Sequence, residues 1–191
     1  MSQSKPSGSI SGPMPRPRKQ LDFRAAAEAL TAQGAETATM AAIARRLDVA
    51  KPTLYRMAGS REELVQLCVD AEAERLLEQL HPALARRDGP PGERLAAGFL
   101  RFVEDSPAGF ALLFGGRFQE ARQAVRRVEN RVRDALRREL RTAGRDAPAD
   151  ALAAGLLGLA AGVARRALED DVSLRSLDLQ GLLAQLQPAR N

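Results

Sequence analysis

Side chains able to do covalent chemistry are scarce in these 191 residues. There is one His, His81, and one Cys, Cys68. No glycine-rich phosphate loop occurs, and no Ser or Cys stands in a recognisable nucleophile setting. A lone cysteine makes no intrachain disulfide, and neither a CxxC pair nor a His and Cys cluster at metal-ligand spacing is present. These features argue against an enzyme and give no reason to expect a metal or a cofactor. His81, just before Pro82, reads as a surface residue near a helix end. What remains is charge. Residues 1–61 hold ten Lys or Arg against four Asp or Glu, a balance of +6, while the rest holds 19 against 20, a balance of −1. Such asymmetry is expected when one part meets phosphates and the other meets protein or a small molecule, although a basic face that is merely solvated would look the same.

The elements that must position these cations are helical. Ala, Leu, Arg, Glu and Gln fill long stretches, strand formers are scarce, and aromatic residues make up 4% with no Trp, so an all-α protein with an Ala- and Leu-rich core is expected. The length suffices for a buried core without disulfides or metals. Residues 1–17, rich in Ser, Gly and Pro, read as a disordered arm. In residues 19–32, Phe23, Ala26, Ala27 and Leu30 recur at helical spacing, and Gly34 can close that helix. Thr39 can cap a short second helix with Met40, Ile43, Ala44 and Leu47 inward. The pattern breaks at Leu47, Asp48 and Val49, and Pro52 at an early helical position starts a third short helix. Ser60 with Glu63 forms a capping box that opens a long fourth helix, with Leu64, Leu67, Cys68, Ala71, Leu76 and Leu80 as its apolar positions. Further helices are expected at 93–105, 107–114, 118–143 and from Pro148 to about 168, with a weaker one near 179–186. In the helix after Pro148, Leu152, Leu156, Leu159 and Val163 form one face and Gly155, Gly158 and Gly162 another.

Two short helices joined by a tight turn can place the second in the major groove of DNA. The crossing needs a small residue, supplied by Ala44. Ile43 and Leu54 pack beneath, and Asp48 can take the positive φ that the turn requires. The stretch TATMAAIARRLDVAKPTLYRMAGSREEL, through Thr39, Ile43, Ala44, Val49, Thr53, Leu54, Tyr55, Ser60, Glu62 and Leu64, resembles the DNA-binding segment of the TetR family of transcriptional regulators. With Ala25, Ala26, Leu30 and Gly34 the resemblance covers about residues 19–66. The later segment FVEDSPAGFALLF is similar to one often seen in the family's second domain.

The resemblance implies an N-terminal three-helix helix-turn-helix domain, residues 18–66, followed by a C-terminal helical bundle, residues 67–191, for dimerisation and ligand binding. It makes residues 51–57, including Pro52, the recognition helix. Lys51 and Thr53 become candidates for base or nearby phosphate contact, since a cation can approach guanine acceptors and Thr offers hydroxyl and methyl. Tyr55, Arg56, Thr39 and Arg61 become candidates for phosphate contact. For Tyr55 the alternative is a core aromatic with an exposed hydroxyl, and for Arg61 a simple surface charge. Arg16, Arg18 and Lys19 are placed where an arm could reach a minor groove, unless Pro15 and Pro17 only stiffen a solvated tail. Ala50, Ala58 and Leu30 depart from the family's usual Ser, Phe and Phe, which keeps open a purely architectural protein that has lost specific DNA reading.

The family implies a cytoplasmic homodimer joined through helices at 118–143 and 148–168. Such a dimer would repress by binding a pseudo-palindromic double-stranded operator and be released by a small apolar ligand. Phe99, Phe102, Val103, Phe110, Leu113 and Phe114 are the pocket candidates, with plain core as the alternative reading of each. The N-terminus lacks the apolar stretch of a secretory signal, and the run at 151–164 is shorter than a bilayer span, so no membrane association is expected.

Overall fold

The computed structural model describes residues 21–32, 38–86, 89–142 and 148–172. Among them are eight α-helices and no strand: α1 Phe23–Ala32, α2 Met40–Arg46, α3 Lys51–Ala58, α4 Arg61–Ala85, α5 Pro91–Asp105, α6 Pro107–Phe114, α7 Glu120–Thr142 and α8 Ala149–Glu169. The all-α expectation holds. Gly34, the N-terminal arm with Arg16, Arg18 and Lys19, and the helix expected near 179–186 lie outside the described residues.

Helix starts follow their caps. Leu21 and Asp22 are not helical and α1 begins at Phe23, where the Asp22 carboxylate caps the first turn by accepting the Ala25 N–H at 3.0 Å. The Thr39 hydroxyl accepts from Ala42 N–H at 3.2 Å. At α4 both halves of the capping box are made: Ser60 Oγ accepts from Glu63 N–H at 3.1 Å, and Glu63 Oε2 accepts from Ser60 N–H at 2.6 Å. Glu63 folds back so closely that Gly59, at φ +71°, has no room for a Cβ, which would lie 1.9 Å from that carboxylate. α5 starts two residues earlier than the sequence suggests, since Pro91 suits a first-turn position.

α4 is the axis of the molecule. It packs against α1 and α3 at one end and against α5, α6 and α7 along the rest, while α8 lies on α5 and α7. α6 also packs on α1, so the second domain touches the first through that contact as well as through α4. Leu64, Val65, Cys68, Val69, Leu76 and Leu80 of α4 are buried, but Leu67 is 39% exposed, contrary to its expected place in the core. At helical spacing it falls beside the exposed Glu63 and Glu74 rather than among the buried residues. Where α4 ends, Arg94 ties several elements together. Its guanidinium donates to the carbonyls of Ala83 and Gly89, and its remaining terminal nitrogen donates to both carboxylate oxygens of Glu139 of α7 at 3.0 and 2.8 Å.

One carboxylate is enclosed in this core. Glu72 is 0% exposed. Its Oε2 accepts from Ser106 Oγ at 2.9 Å and lies 3.8 Å from Arg75 Nε, while Oε1 has no hydrogen-bond partner among the described residues. Ser106 in turn caps α6 by accepting the Gly109 N–H at 3.2 Å. The middle of α4 is thereby fastened to the start of α6.

The sequence-based faces of α8 are corrected. Its buried side is Ala149, Ala153, Leu157, Ala160, Ala161, Ala164 and Ala167. Leu152 is 39% exposed, Leu156, Leu159 and Val163 are half-buried, and Gly155, Gly158 and Gly162 face open space. Alanine lets α8 lie close on α5 and α7, which turns the larger side chains sideways and outward. At 21 residues α8 also has the length and apolar composition to cross a membrane, a match that the shorter run 151–164 did not suggest.

Candidate nucleic-acid interface

The short helices α2 and α3 are joined as the helix-turn-helix geometry requires. Asp48 takes φ 49°, the Asp48 N–H reaches Arg45 O at 3.2 Å, and the Val49 N–H reaches Ala44 O at 3.0 Å. These bonds close α2 and turn the chain into α3. Ile43, Ala44, Leu54 and Ala58 are buried beneath the pair, so the two helices are fixed to α1 and α4 by their inner faces. Ala50 stands at the N-cap of α3 and makes no side-chain cap bond. Pro52 offsets part of that loss, because it lacks the N–H that a cap would satisfy and its φ suits the first turn.

The outer face of α3 carries the residues singled out from the sequence. Lys51, Pro52, Tyr55 and Arg56 are exposed and Thr53 is half-exposed. Tyr55, at 45% exposure, is a surface aromatic and not a core one. The Lys51 ammonium sits over its ring, 5.8 Å from the centroid, a contact worth about 0.5–1 kcal/mol at an exposed site. The i, i+4 spacing of Lys51 and Tyr55 is a signal in the sequence for this contact. The pairing stiffens Lys51, which has the most freedom to lose in binding. Thr39, also exposed, stands at the start of α2, where backbone amides and the positive helix end favour an anion. Arg61 is more than a simple surface charge: half-buried at the start of α4, it donates from Nε to Ala38 O at 3.1 Å. The link fixes the entry to α2 relative to α4.

Thr39, Lys51 with Pro52 and Thr53, and Arg61 therefore fall at the starts of α2, α3 and α4, and Tyr55 and Arg56 lie farther along α3. The pocket candidates come together differently. Phe99 makes edge contacts with Phe102, Phe110 and Phe114 at centroid distances of 6.4, 6.2 and 5.3 Å, and Phe110 stacks on Phe114 at 5.6 Å. Val103 and Leu113 are buried beside them. This is a filled aromatic core, and none of its six side chains lines any of three prominent clefts among the described residues. The clefts instead join elements. One of about 570 Å³ lies between α4 and α7 with Glu74, Glu78, His81, Arg131 and Arg138 in its walls. Another of about 620 Å³ is lined by Arg61, Arg117 and Arg122, and the third by Arg24, Glu28, Arg46 and the start of α6. No group of His, Cys, Asp and Glu suited to a metal ion occurs among the described residues.

Residues 23–68 match the family model of the bacterial regulatory proteins of the tetR family, the segment that spans α1 to the first turns of α4. No curated protein matches the chain. Among solved structures, it is similar to a TetR-like transcriptional regulator from Rhodococcus sp. RHA1, with 25% identity over 81% of this chain and 85% of that one and a TM-score of 0.64. It has the fold of the TetR family transcriptional regulator PfmR from Thermus thermophilus, at 22% identity, 75% and 82% coverage and a TM-score of 0.62. The same fold occurs in a candidate fatty acid metabolism regulator from Clostridium perfringens, at 19% identity, 86% and 92% coverage and a TM-score of 0.68. A helix-turn-helix with its donors outward, the family match over that unit and the shared helical architecture lead to one statement: residues 23–68 are a segment of the tetR-family type, set in a chain with the TetR-like fold.

Proposed function

We propose that the chain is a repressor that binds a pseudo-palindromic operator as a homodimer, with residues 18–66 reading DNA and residues 67–191 holding the dimer. The observation that carries the DNA-reading role is the outward face of α3, where Lys51, Thr53, Tyr55 and Arg56 stand on a helix whose inner side is anchored by Leu54 and Ala58. Lys51 and Thr53, at the N-terminal end of α3, are assigned to base edges or the adjacent phosphate, and Tyr55, Arg56 and Thr39 to phosphates. Arg61 has a shared role, holding Ala38 while presenting charge beside it.

Dimerisation is assigned to α7 and α8. The support is the outer surface of α8, on which Leu152 and Leu168 are exposed and three glycines meet nothing within 4 Å of a Cβ position. Small residues at one face permit close helix approach, and a second copy of the same face would cover Leu152, which flanks the glycines. The place for a small apolar ligand is the ring cluster around Phe99, which such a ligand would enter by parting Phe110 from Phe114. Its effect on DNA binding would come from favouring one spacing of the two recognition helices.

The test is selection of bound sequences from random duplex DNA by the purified chain, followed by binding of the selected site by Lys51→Ala and Thr53→Ala. The expected result is a two-fold symmetric motif. Each variant should lose about 1–3 kcal/mol and relax the preference at one position of each half-site. Recovery of no motif would exclude specific reading and leave the architectural alternative.

A further inference from the structure

We infer that the second domain of this protein makes its own contact with the DNA backbone, through Arg117 and Arg122 in the cleft that they share with Arg61. The inference rests on the DNA-reading role proposed above and extends it to a part of the chain outside the helix-turn-helix. The cleft lies between the start of α4 and the segment from Gly116 into α7, and Val65, Phe118, Gln119 and Glu120 complete its lining. Three guanidinium groups face one carboxylate there. The side chains of Arg117 and Arg122 are exposed and have no ion-pair or hydrogen-bond partner among the described residues, whereas many other arginines of the second domain are engaged, including Arg94, Arg127, Arg133, Arg137, Arg165 and Arg166. Like charges gathered at one cleft repel, so the arrangement favours an anion as its occupant.

Position selects the anion. Arg61, one wall of the cleft, is bonded to the carbonyl of Ala38, the residue before the Thr39 cap of α2. The cleft therefore opens beside the helix start at which a backbone phosphate is expected, and a strand passing that start continues toward Arg117 and Arg122. Duplex DNA carries about one charge per 1.7 Å of axis, so a cationic surface that prolongs the interface meets further phosphates. The buried Phe118 anchors this segment against the core, which holds the two arginines in place at small entropic cost.

The experiment compares wild type with Arg117→Ala/Arg122→Ala on the selected operator, in a long duplex with flanking pairs and in one trimmed to the half-sites. Arg131→Ala, an exposed α7 arginine in the other cleft, removes one positive charge away from the proposed contact and shows the effect of charge alone. Loss of two phosphate contacts in each subunit, four in the dimer, lowers the slope of log affinity against log salt by about 4 and weakens binding roughly a hundredfold at moderate salt. The trimmed duplex should bring wild type down toward the double variant, and Arg131→Ala should keep the wild-type slope. An unchanged slope in the double variant, or an equal change in Arg131→Ala, overturns the contact. So does a cleft that binds inorganic phosphate, read as a rise in wild-type Tm absent from the double variant, with no change in the DNA slope. Wild type that binds no duplex at all overturns the parent reading, and this one with it.

Discussion

Two buried residues of α4 illustrate how narrow the tolerances are at single positions. A Cβ at Gly109 would lie 2.1 Å from Glu72 Oε2 and 2.6 Å from Ser106 Oγ, and Glu72, wholly enclosed, has nowhere to retreat. Gly109→Ala is therefore expected to cost about 2–3 kcal/mol by overpacking. In a Glu72→Ala background the same change should cost less than about 1 kcal/mol, because the obstructing carboxylate is gone. Urea unfolding of the four proteins measures this coupling, and equal costs in both backgrounds would contradict the contact. One turn away, burial, aided by the Glu72 charge, pushes the Cys68 thiol up from 9.0 to about 12. The thiol is thus neutral in the fold at every physiological pH and should resist alkylation until the protein unfolds. Because the folded value is raised, the stability linked to Cys68 is intact below pH 9. It is lost between pH 9 and 12, where the unfolded chain releases its proton and the folded chain retains it. The stability difference between wild type and Cys68→Ala should be flat with pH up to about 9 and should shift against wild type above it. A difference that stays flat to about pH 11 would disprove the raised value.

At the scale of elements, local signals were legible where a cap or a turn decides the outcome. Thr39, Asp48, and Ser60 with Glu63 marked the helix-turn-helix and the start of α4, and each takes the conformation that its chemistry suggests. Asp22 is a further cap of this kind, and α1 starts at the residue after it. Burial around α8 was the harder problem. A helix that is apolar on most sides does not announce which side faces inward, and the close approach permitted by alanine put Ala153, Ala160 and Ala164 inside while Leu152 remained outside. The six residues of the aromatic cluster were legible as a group, but spacing alone cannot distinguish a filled core from a lined cavity. The exposed glycines of α8 provide the next test. In an isolated copy, Gly155→Ala, Gly158→Ala and Gly162→Ala add side chains in open space, and each should stabilise the helix by about 1 kcal/mol. If a second copy lies against this face, the same methyl groups obstruct it. The expected outcome is a triple variant that is more helical at low concentration yet dissociates at higher protein concentration than wild type in sedimentation experiments. Unchanged association would move the dimer face elsewhere.

For the whole molecule, the question is whether the DNA-reading unit can change its orientation or stability independently of the helical domain. α4 supplies core residues to both, from Leu64 under the helix-turn-helix to Leu80 beneath α5, and runs unbroken through residue 66, as the sequence suggests. α1 packs on α6, and Arg24 donates to the carbonyl of Asp105 at 2.7 Å. Two connections of this kind make independent unfolding costly, since the first unit cannot separate without exposing Leu64, Val65 and the α1–α6 contact to water. The single tyrosine makes this measurable without a label. Tyr55 lies on α3, and the chain has no Trp, so tyrosine emission reports on the DNA-reading unit alone while far-ultraviolet circular dichroism reports on all the helices. The two probes should give coincident urea transitions at a fixed protein concentration. Shortening the Arg24 side chain to Ala should lower both midpoints together. An early tyrosine transition that leaves most of the helicity intact would instead mean that the unit is only loosely coupled. In that case, for the dimeric repressor proposed above, a signal from the helical domain could not be carried rigidly through α4 to α3, and control would have to act through the spacing of the two proposed subunits alone.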